Sequence, residues 1–226
     1  MANFLIIDTA LEDAIVALSK EGKVIAELKN KETSSHASFI QVAISNLLED
    51  QKMSIQDITA IAVTLGPGSY TGLRVGLASA KGIAYSIQKP LIGLSTLAAL
   101  AHAAIQSAPS DFGQDYQIFA MIDARRMEIF GAIYNNECNP IITEQAIVLD
   151  TNTWTKLIHQ PTICIGSGAN KTKQFESSQK VCYMTEGYNS QILLEMATKK
   201  LNAGQFEDLA YVGPNYLKEV YIFPSK

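Results

Sequence analysis

Two short runs decide the reading of this chain: Ile6-Ile7-Asp8-Thr9-Ala10 near the start and Met121-Ile122-Asp123-Ala124-Arg125 near the middle. The first closes an apolar stretch from Phe4, the second one from Gln117. Both stretches are short, apolar and end on an aspartate, so each reads as a buried strand. The segments after them are also alike. After the first come strand-like runs at Ala14–Leu18 and Lys23–Leu28, turned by Lys20-Glu21-Gly22. After the second come Met127–Tyr134 and Pro140–Leu149, turned by Asn135–Asn139. Two three-strand meanders opened by matching motifs predict an internal duplication.

Outward from the first run the pattern changes to alternating helix and strand. Ser34 or Ser35 caps a helix to about Glu49, with Ala37, Ile40, Ala43, Ile44, Leu47 and Leu48 at helical spacing. A strand follows at Ile58–Leu65, then a tight loop at Gly66–Tyr70 and a helix from Thr71 to about Ile87, stopped by Pro90. Leu91–Leu94 is a short strand, and Ser95 caps a helix to about Ser107. The segment Ala108-Pro109-Ser110-Asp111-Phe112-Gly113 is the expected linker, dividing the chain into lobes 1–107 and 114–226. In the second lobe a strand is expected at Thr162–Ile165, a turn at Gly166-Ser167-Gly168 and a helix at Asn189–Leu201. The fold class is therefore α/β: a duplicated ribonuclease-H-like, actin-like ATPase architecture, each lobe a mixed sheet flanked by helices. Sugar kinases, actin and Hsp70-type chaperones share that plan, so it fixes no function.

Composition narrows the classes. The 226 residues are 47% hydrophobic and 18% charged, which is globular composition. Neither a signal peptide nor a membrane span is expected, and the chain reads as cytosolic. Three widely spaced cysteines, Cys138, Cys164 and Cys182, fit reduced thiols, and no Cys or His pair has metal-ligand spacing. The formal charge is -4, from 18 basic and 22 acidic residues, with no run of Lys or Arg. Nucleic acid is therefore expected to be reached only through a partner.

The strongest local signal is Gly66-Pro67-Gly68-Ser69-Tyr70-Thr71-Gly72-Leu73-Arg74-Val75-Gly76, between a strand and a helix. Such a turn can present amides to an anion. It is neither a Walker A loop nor a G-x-G-x-x-G fingerprint, because no Gly-Lys-Ser/Thr follows and Thr71 stands at the last glycine. A loop that needs glycine dihedrals, with Ser69 or Thr71 as helix cap, explains it more simply. In the helix, Gly72, Gly76, Ala80 and Ala84 recur every fourth residue. This smooth ridge suits close packing within the chain or a subunit contact, and the spacing does not choose between them. Asp8 and Asp123 should face the cleft between lobes, where aspartates of this fold position magnesium and water. No glycine follows either of them, so each is read as capping its own turn. Gly68 and Gly168 complete the four weak candidates for cofactor contact. His102 is expected to pack and His159 to lie at the surface; no catalytic pairing of histidine with serine or cysteine follows from spacing.

Several motifs together carry a family resemblance. The run Leu65–Gly76, Ile7-Asp8-Thr9-Ala10, Pro90-Leu91-Ile92-Gly93-Leu94-Ser95-Thr96-Leu97, Ile122-Asp123-Ala124-Arg125 and Pro214-Asn215-Tyr216-Leu217 resemble the TsaB (YeaZ) family over essentially the whole chain. The resemblance implies a part in bacterial threonylcarbamoyladenosine synthesis, at the adenosine beside the anticodon of ANN-decoding tRNAs. It implies pairing with TsaD, the paralogue that transfers the threonylcarbamoyl group, and contact with the ATPase TsaE. TsaD-like enzymes carry a His-x-x-x-His metal pair where this chain has Thr96 and Leu100. Neither replaces imidazole, so the older glycoprotease label lacks its chemistry here. The expectation is a non-catalytic supporting subunit without catalytic residues, metal or cofactor of its own, while a nucleotide at the partner interface stays open. A stand-alone ATPase or kinase is the alternative, and a metallopeptidase the weaker one. The expected face for TsaD, or for a second copy of this chain, is His36, Ile40, Ile44, Leu47, Gly72, Gly76, Ala80 and Ile83.

Overall fold

The computed structural model describes residues 2–30, 36–113, 115–185 and 187–218. It contains two five-stranded sheets with one topology used twice. The first comprises β1 (Phe4–Asp8), β2 (Ala14–Lys20), β3 (Lys23–Asn30), β4 (Ala60–Gly66) and β5 (Leu91–Ser95), in the order β3-β2-β1-β4-β5. The second comprises β6 (Gln117–Asp123), β7 (Glu128–Asn135), β8 (Pro140–Val148), β9 (Thr162–Ile165) and β10 (Val181–Met184), in the order β8-β7-β6-β9-β10. In each, the first three strands run antiparallel and the last two join parallel to the first. The repeat inferred from two aspartates thus holds strand for strand, as a duplicated actin-like fold.

Five helices complete it: α1 (His36–Asp50), α2 (Tyr70–Ile87), α3 (Thr96–Gln106), α4 (Thr151–Leu157) and α5 (Ser190–Asn202). The caps are side chains placed where the sequence offers them. Ser69 Oγ accepts from Gly72 N, Ser95 Oγ from Ala98 N and Asn189 Oδ1 from Ile192 N. Helix α2 ends on Gln88 in the left-handed region, two residues before Pro90. The Ser34 and Ser35 caps expected for α1 lie outside the described residues.

Alternation along β1 explains the layering. Phe4 and Ile6 face a central core, while Leu5 and Ile7 face an outer one, opposite Leu18 and Val16 of β2. The outer core lies under α1 and α2; a third core lies under α4 on the far face of the second sheet. The central core joins both sheets through α3 and α5. The two middle-facing helices are shared between the halves. Helix α3, placed in the first lobe, packs on β6, while α5, placed in the second, packs on β5 and β3. The halves exchange helices across the middle, because α3 and α5 are apolar on the faces both sheets must cover. Helix α4 and β10, which the sequence analysis left out, are short: a seven-residue helix capped by Asp150 and a four-residue edge strand. No described helix is long and apolar enough to cross a membrane.

Candidate functional site

Both duplicated aspartates sit at the carboxyl ends of their leading strands, on one cleft of about 1260 Å³ between the lobes. They behave alike locally. Asp8 Oδ1 accepts from Ala10 N at 2.9 Å, and Asp123 Oδ1 accepts from Arg125 N at 2.6 Å. Each aspartate closes its own turn, as the sequence suggests. Asp8 is buried and also accepts from Thr64 Oγ1 at 2.6 Å. Asp123 is exposed and takes an ion pair from Lys171 Nζ at 2.7 Å. Partial burial opposes ionisation of Asp123, but the Lys171 ammonium and the Arg125 amide outweigh it and hold its pKa below the usual carboxylate value. An ammonium thus neutralises this cleft carboxylate.

The glycines next to these turns pack against Thr9 and Ala10. A Cβ on Gly68 would lie 2.2 Å from Ala10 O, one on Gly72 2.1 Å from Thr9 O, and one on Gly76 2.2 Å from Thr9 Oγ1. Ser69 N donates to Ala10 O at 2.8 Å, and Thr9 Oγ1 donates to Gly72 O at 2.7 Å. The glycine signature is therefore the socket of the Thr9–Ala10 turn, with its Ser69 amide turned inward. The second half repeats the device. Gly66 ends the fourth strand of its sheet and Gly166 directly follows that of the other, both with positive φ, at 113° and 97°. A Cβ on Gly168 would lie 2.9 Å from Ile129 Cγ2 and 3.0 Å from Met121 Cβ. The shared Gly-x-Gly after each fourth strand was legible, but it lay 100 residues apart in dissimilar surroundings. Of the four candidate cofactor contacts, Gly68 and Gly168 are packing positions, and Asp8 and Asp123 hold internal bonds.

Beside Asp8, the hydroxyls of Tyr188 and Thr96 are buried without a hydrogen bond of good geometry. Burial and the Asp8 charge push the Tyr188 phenol well above its ordinary pKa. The cleft rim carries Lys29, Arg125, Lys173 and Lys218, with Glu12 and Asp13 among them. Folding so gathers cations that are dispersed in sequence, though Lys29 pairs with Glu27 and Lys218 with Glu128.

One half-buried carboxylate escaped the sequence analysis. Glu144 of β8 accepts from Ser95 Oγ, at the cap of α3, and from Asn215 Nδ2 at 2.5 Å. Burial raises its pKa; hydrogen bonds from Ser95, Asn215 and Tyr134 oppose the rise. In sequence it is one glutamate in a strand whose flanking residues alternate, with nothing to mark a partner 71 residues away.

Comparison with known proteins agrees with this architecture. The family model of TsaD, tRNA N6-adenosine threonylcarbamoyltransferase, matches residues 23–221. The tRNA threonylcarbamoyladenosine biosynthesis protein TsaB of Bacillus subtilis is 31% identical over 176 residues, covering 75% of this chain and 73% of that protein. The chain belongs to the TsaB family. The TsaB protein of Escherichia coli is 37% identical over 139 residues, which span 61% of this chain and 57% of that one. A crystal structure of YeaZ from Pseudomonas aeruginosa shares the fold, with a TM-score of 0.78 at 23% identity, over 96% of this chain and 100% of that one.

Two features of this TsaB-family chain bear on the expected sites. Thr96 and Leu100 are both buried in the central core, at 0% and 1% exposure, and no described cluster of three or more His, Cys, Asp or Glu could hold a metal ion. His102 is half-buried on α3, where burial and Lys199 lower its pKa; His159 is exposed. The residues of the expected partner face pack largely within the chain. Ile40, Ile44, Leu47 and Ala80 are buried in the outer core, Ile83 packs against it, and Gly72 and Gly76 lie under Thr9. That stripe holds α1 and α2 to the sheet, because a single apolar stripe serves the chain's own core first. The side chain of His36 lies outside the described residues. The surface that the two helices leave outward includes Val42, Ala78, Gly82 and Tyr85, with Val42 58% and Tyr85 79% exposed.

Proposed function

We propose that this chain acts in tRNA threonylcarbamoyladenosine synthesis as a supporting subunit, pairing with a TsaD-type transferase that carries the metal and the transfer chemistry. Membership of the TsaB family supports the pathway. The observation that carries the supporting role is the replacement of the paralogue's histidine pair by Thr96 and Leu100, both sealed in the core. Neither side chain offers a transition-metal ligand. The inward glycine socket weighs the same way against a stand-alone ATPase, because phosphate needs the backbone that Thr9 and Ala10 occupy.

In this reading the outward face of α1 and α2 meets the transferase, and the same face serves a homodimer when the transferase is absent. TsaE joins the assembled pair. A nucleotide, where one is used, sits at the subunit interface and not on the four candidate residues of this chain. The anticodon region of tRNA is reached through the complex, since the rim cations are partly paired and the chain as a whole is acidic.

Co-purification with a TsaD-type transferase tests the pairing. A stable complex is expected, whereas two chains that elute separately at micromolar concentration would overturn it. ATP turnover and elemental analysis of the isolated chain test its supporting character. Sustained hydrolysis, or one tightly held iron or zinc per chain, would contradict the reading.

A further inference from the structure

After α5 the chain does not stop at the second lobe. It runs back along the first sheet and then crosses the cleft mouth. Glu207 N donates to Leu91 O at 2.9 Å, and Lys81 Nζ of α2 donates to Val212 O at 3.1 Å. Asn215 N then donates to Leu65 O at 2.7 Å. These contacts all hold the first lobe. At the same residue the strap changes lobe, since Asn215 Nδ2 reaches Glu144 on β8. Tyr216 returns to the first: its hydroxyl accepts from Arg74 Nε at 2.8 Å, and its ring lies 5.0 Å from that of Tyr70, with Arg74 stacked 3.9 Å from Tyr70. Lys218 goes to the second, pairing with Glu128 at the start of β7 at 2.6 Å. Asn215, Tyr216, Leu217 and Lys218 all line the cleft.

We propose that residues 215–218 are a staple that sets the opening of the inter-lobe cleft, so that this chain holds its lobe angle without a ligand. Helices α3 and α5 fix the lobes at depth, where apolar packing joins the sheets. The mouth lies beyond the carboxyl ends of the strands, outside that core. There the strap bonds alternately to one lobe and the other, and Glu144 ties it to Ser95 as well. In two-lobed proteins a ligand between the lobes usually draws them together. Here chain-borne contacts take that place, and the bond from Asn215 to a half-buried carboxylate is of the charge-assisted kind. The staple stands on the isolated chain, so it can fail while the supporting role survives, and the reverse.

Pulsed EPR on the full chain tests it. Spin labels go on Glu12→Cys and Arg126→Cys, one exposed position on each rim, with Cys138 and Cys182 replaced by alanine. Labelled chain is diluted into unlabelled chain to remove contributions from dimers. The parent should give a narrow distribution, and Asn215→Ala should move it to longer distance and broaden it. Lys218→Ala should do so to a smaller degree, because its ion pair is partly exposed. If Asn215→Ala does not fold, Tyr216→Phe together with Lys218→Ala reads the same distance. Variant distributions that overlay the parent would overturn the staple.

Discussion

Gly76 of α2 lies directly against the Thr9 hydroxyl, so close that a methyl group there would stand 2.2 Å from Thr9 Oγ1. The next nearest atoms of Thr9, Cβ and Cγ2, are at 3.4 and 3.5 Å. The clash therefore depends on one oxygen. Gly76→Ala should destabilise folding by about 1–3 kcal/mol through overpacking, despite the roughly 1 kcal/mol that alanine gains over glycine in a helix. In a Thr9→Ala background the same substitution should cost little or be favourable. Urea denaturation of the four proteins of this cycle checks it. Equal cost in both backgrounds would show that Gly76 answers to something other than Thr9.

A second expectation concerns acid. Burial holds the Glu144 pKa above 4.5, so its ionisation works against the folded state. Its contribution is fully present below pH 4.5 and is lost as pH rises through the raised value. Glu144→Gln keeps the size of the side chain and removes that titration. Measured from about pH 4 to 8, the stability difference between Glu144→Gln and the parent should shift in favour of the variant as pH rises. A difference independent of pH would place the carboxylate in a more watery setting than the one seen. Glu144→Ala should instead cost about 1–3 kcal/mol, because Ser95 and Asn215 lose their acceptor.

The third concerns the outward helix face. Val42→Glu and Tyr85→Glu change exposed positions and should leave the melting temperature within a few degrees. Together they should weaken association with the transferase at least about tenfold, as loss of apolar contact and burial of charge would require. Titration calorimetry reads this. Unchanged affinity would move the contact to another surface.

Much of the architecture was legible because its signals were local. The runs ending at Asp8 and Asp123 identified both leading strands; Ser95, and Ser69 as one of two choices, marked helix starts by their own side chains. The helix exchange was not legible, since α3 and α5 carry apolar faces that do not say which sheet they cover. The α1–α2 ridge was undecided for a related reason. Spacing showed that Gly72 and Gly76 must touch something closely, but not that Thr9, more than 60 residues earlier, was the neighbour. Glu144 was invisible because its partners, Ser95 and Asn215, come from distant stretches and meet only when the strap returns.

The central claim is that this chain supports threonylcarbamoyl transfer without performing it, and one reconstitution tests it most directly. Unmodified ANN-decoding tRNA is incubated with a TsaD-type transferase, TsaE, the adenylate-forming enzyme, ATP, threonine and bicarbonate, with and without this chain. The modified nucleoside is then quantified by mass spectrometry after digestion. Omitting the chain should abolish or sharply reduce threonylcarbamoyladenosine, and omitting the transferase while keeping this chain should abolish it altogether. Full modification without this chain, or modification by it in the absence of the transferase, would contradict the account.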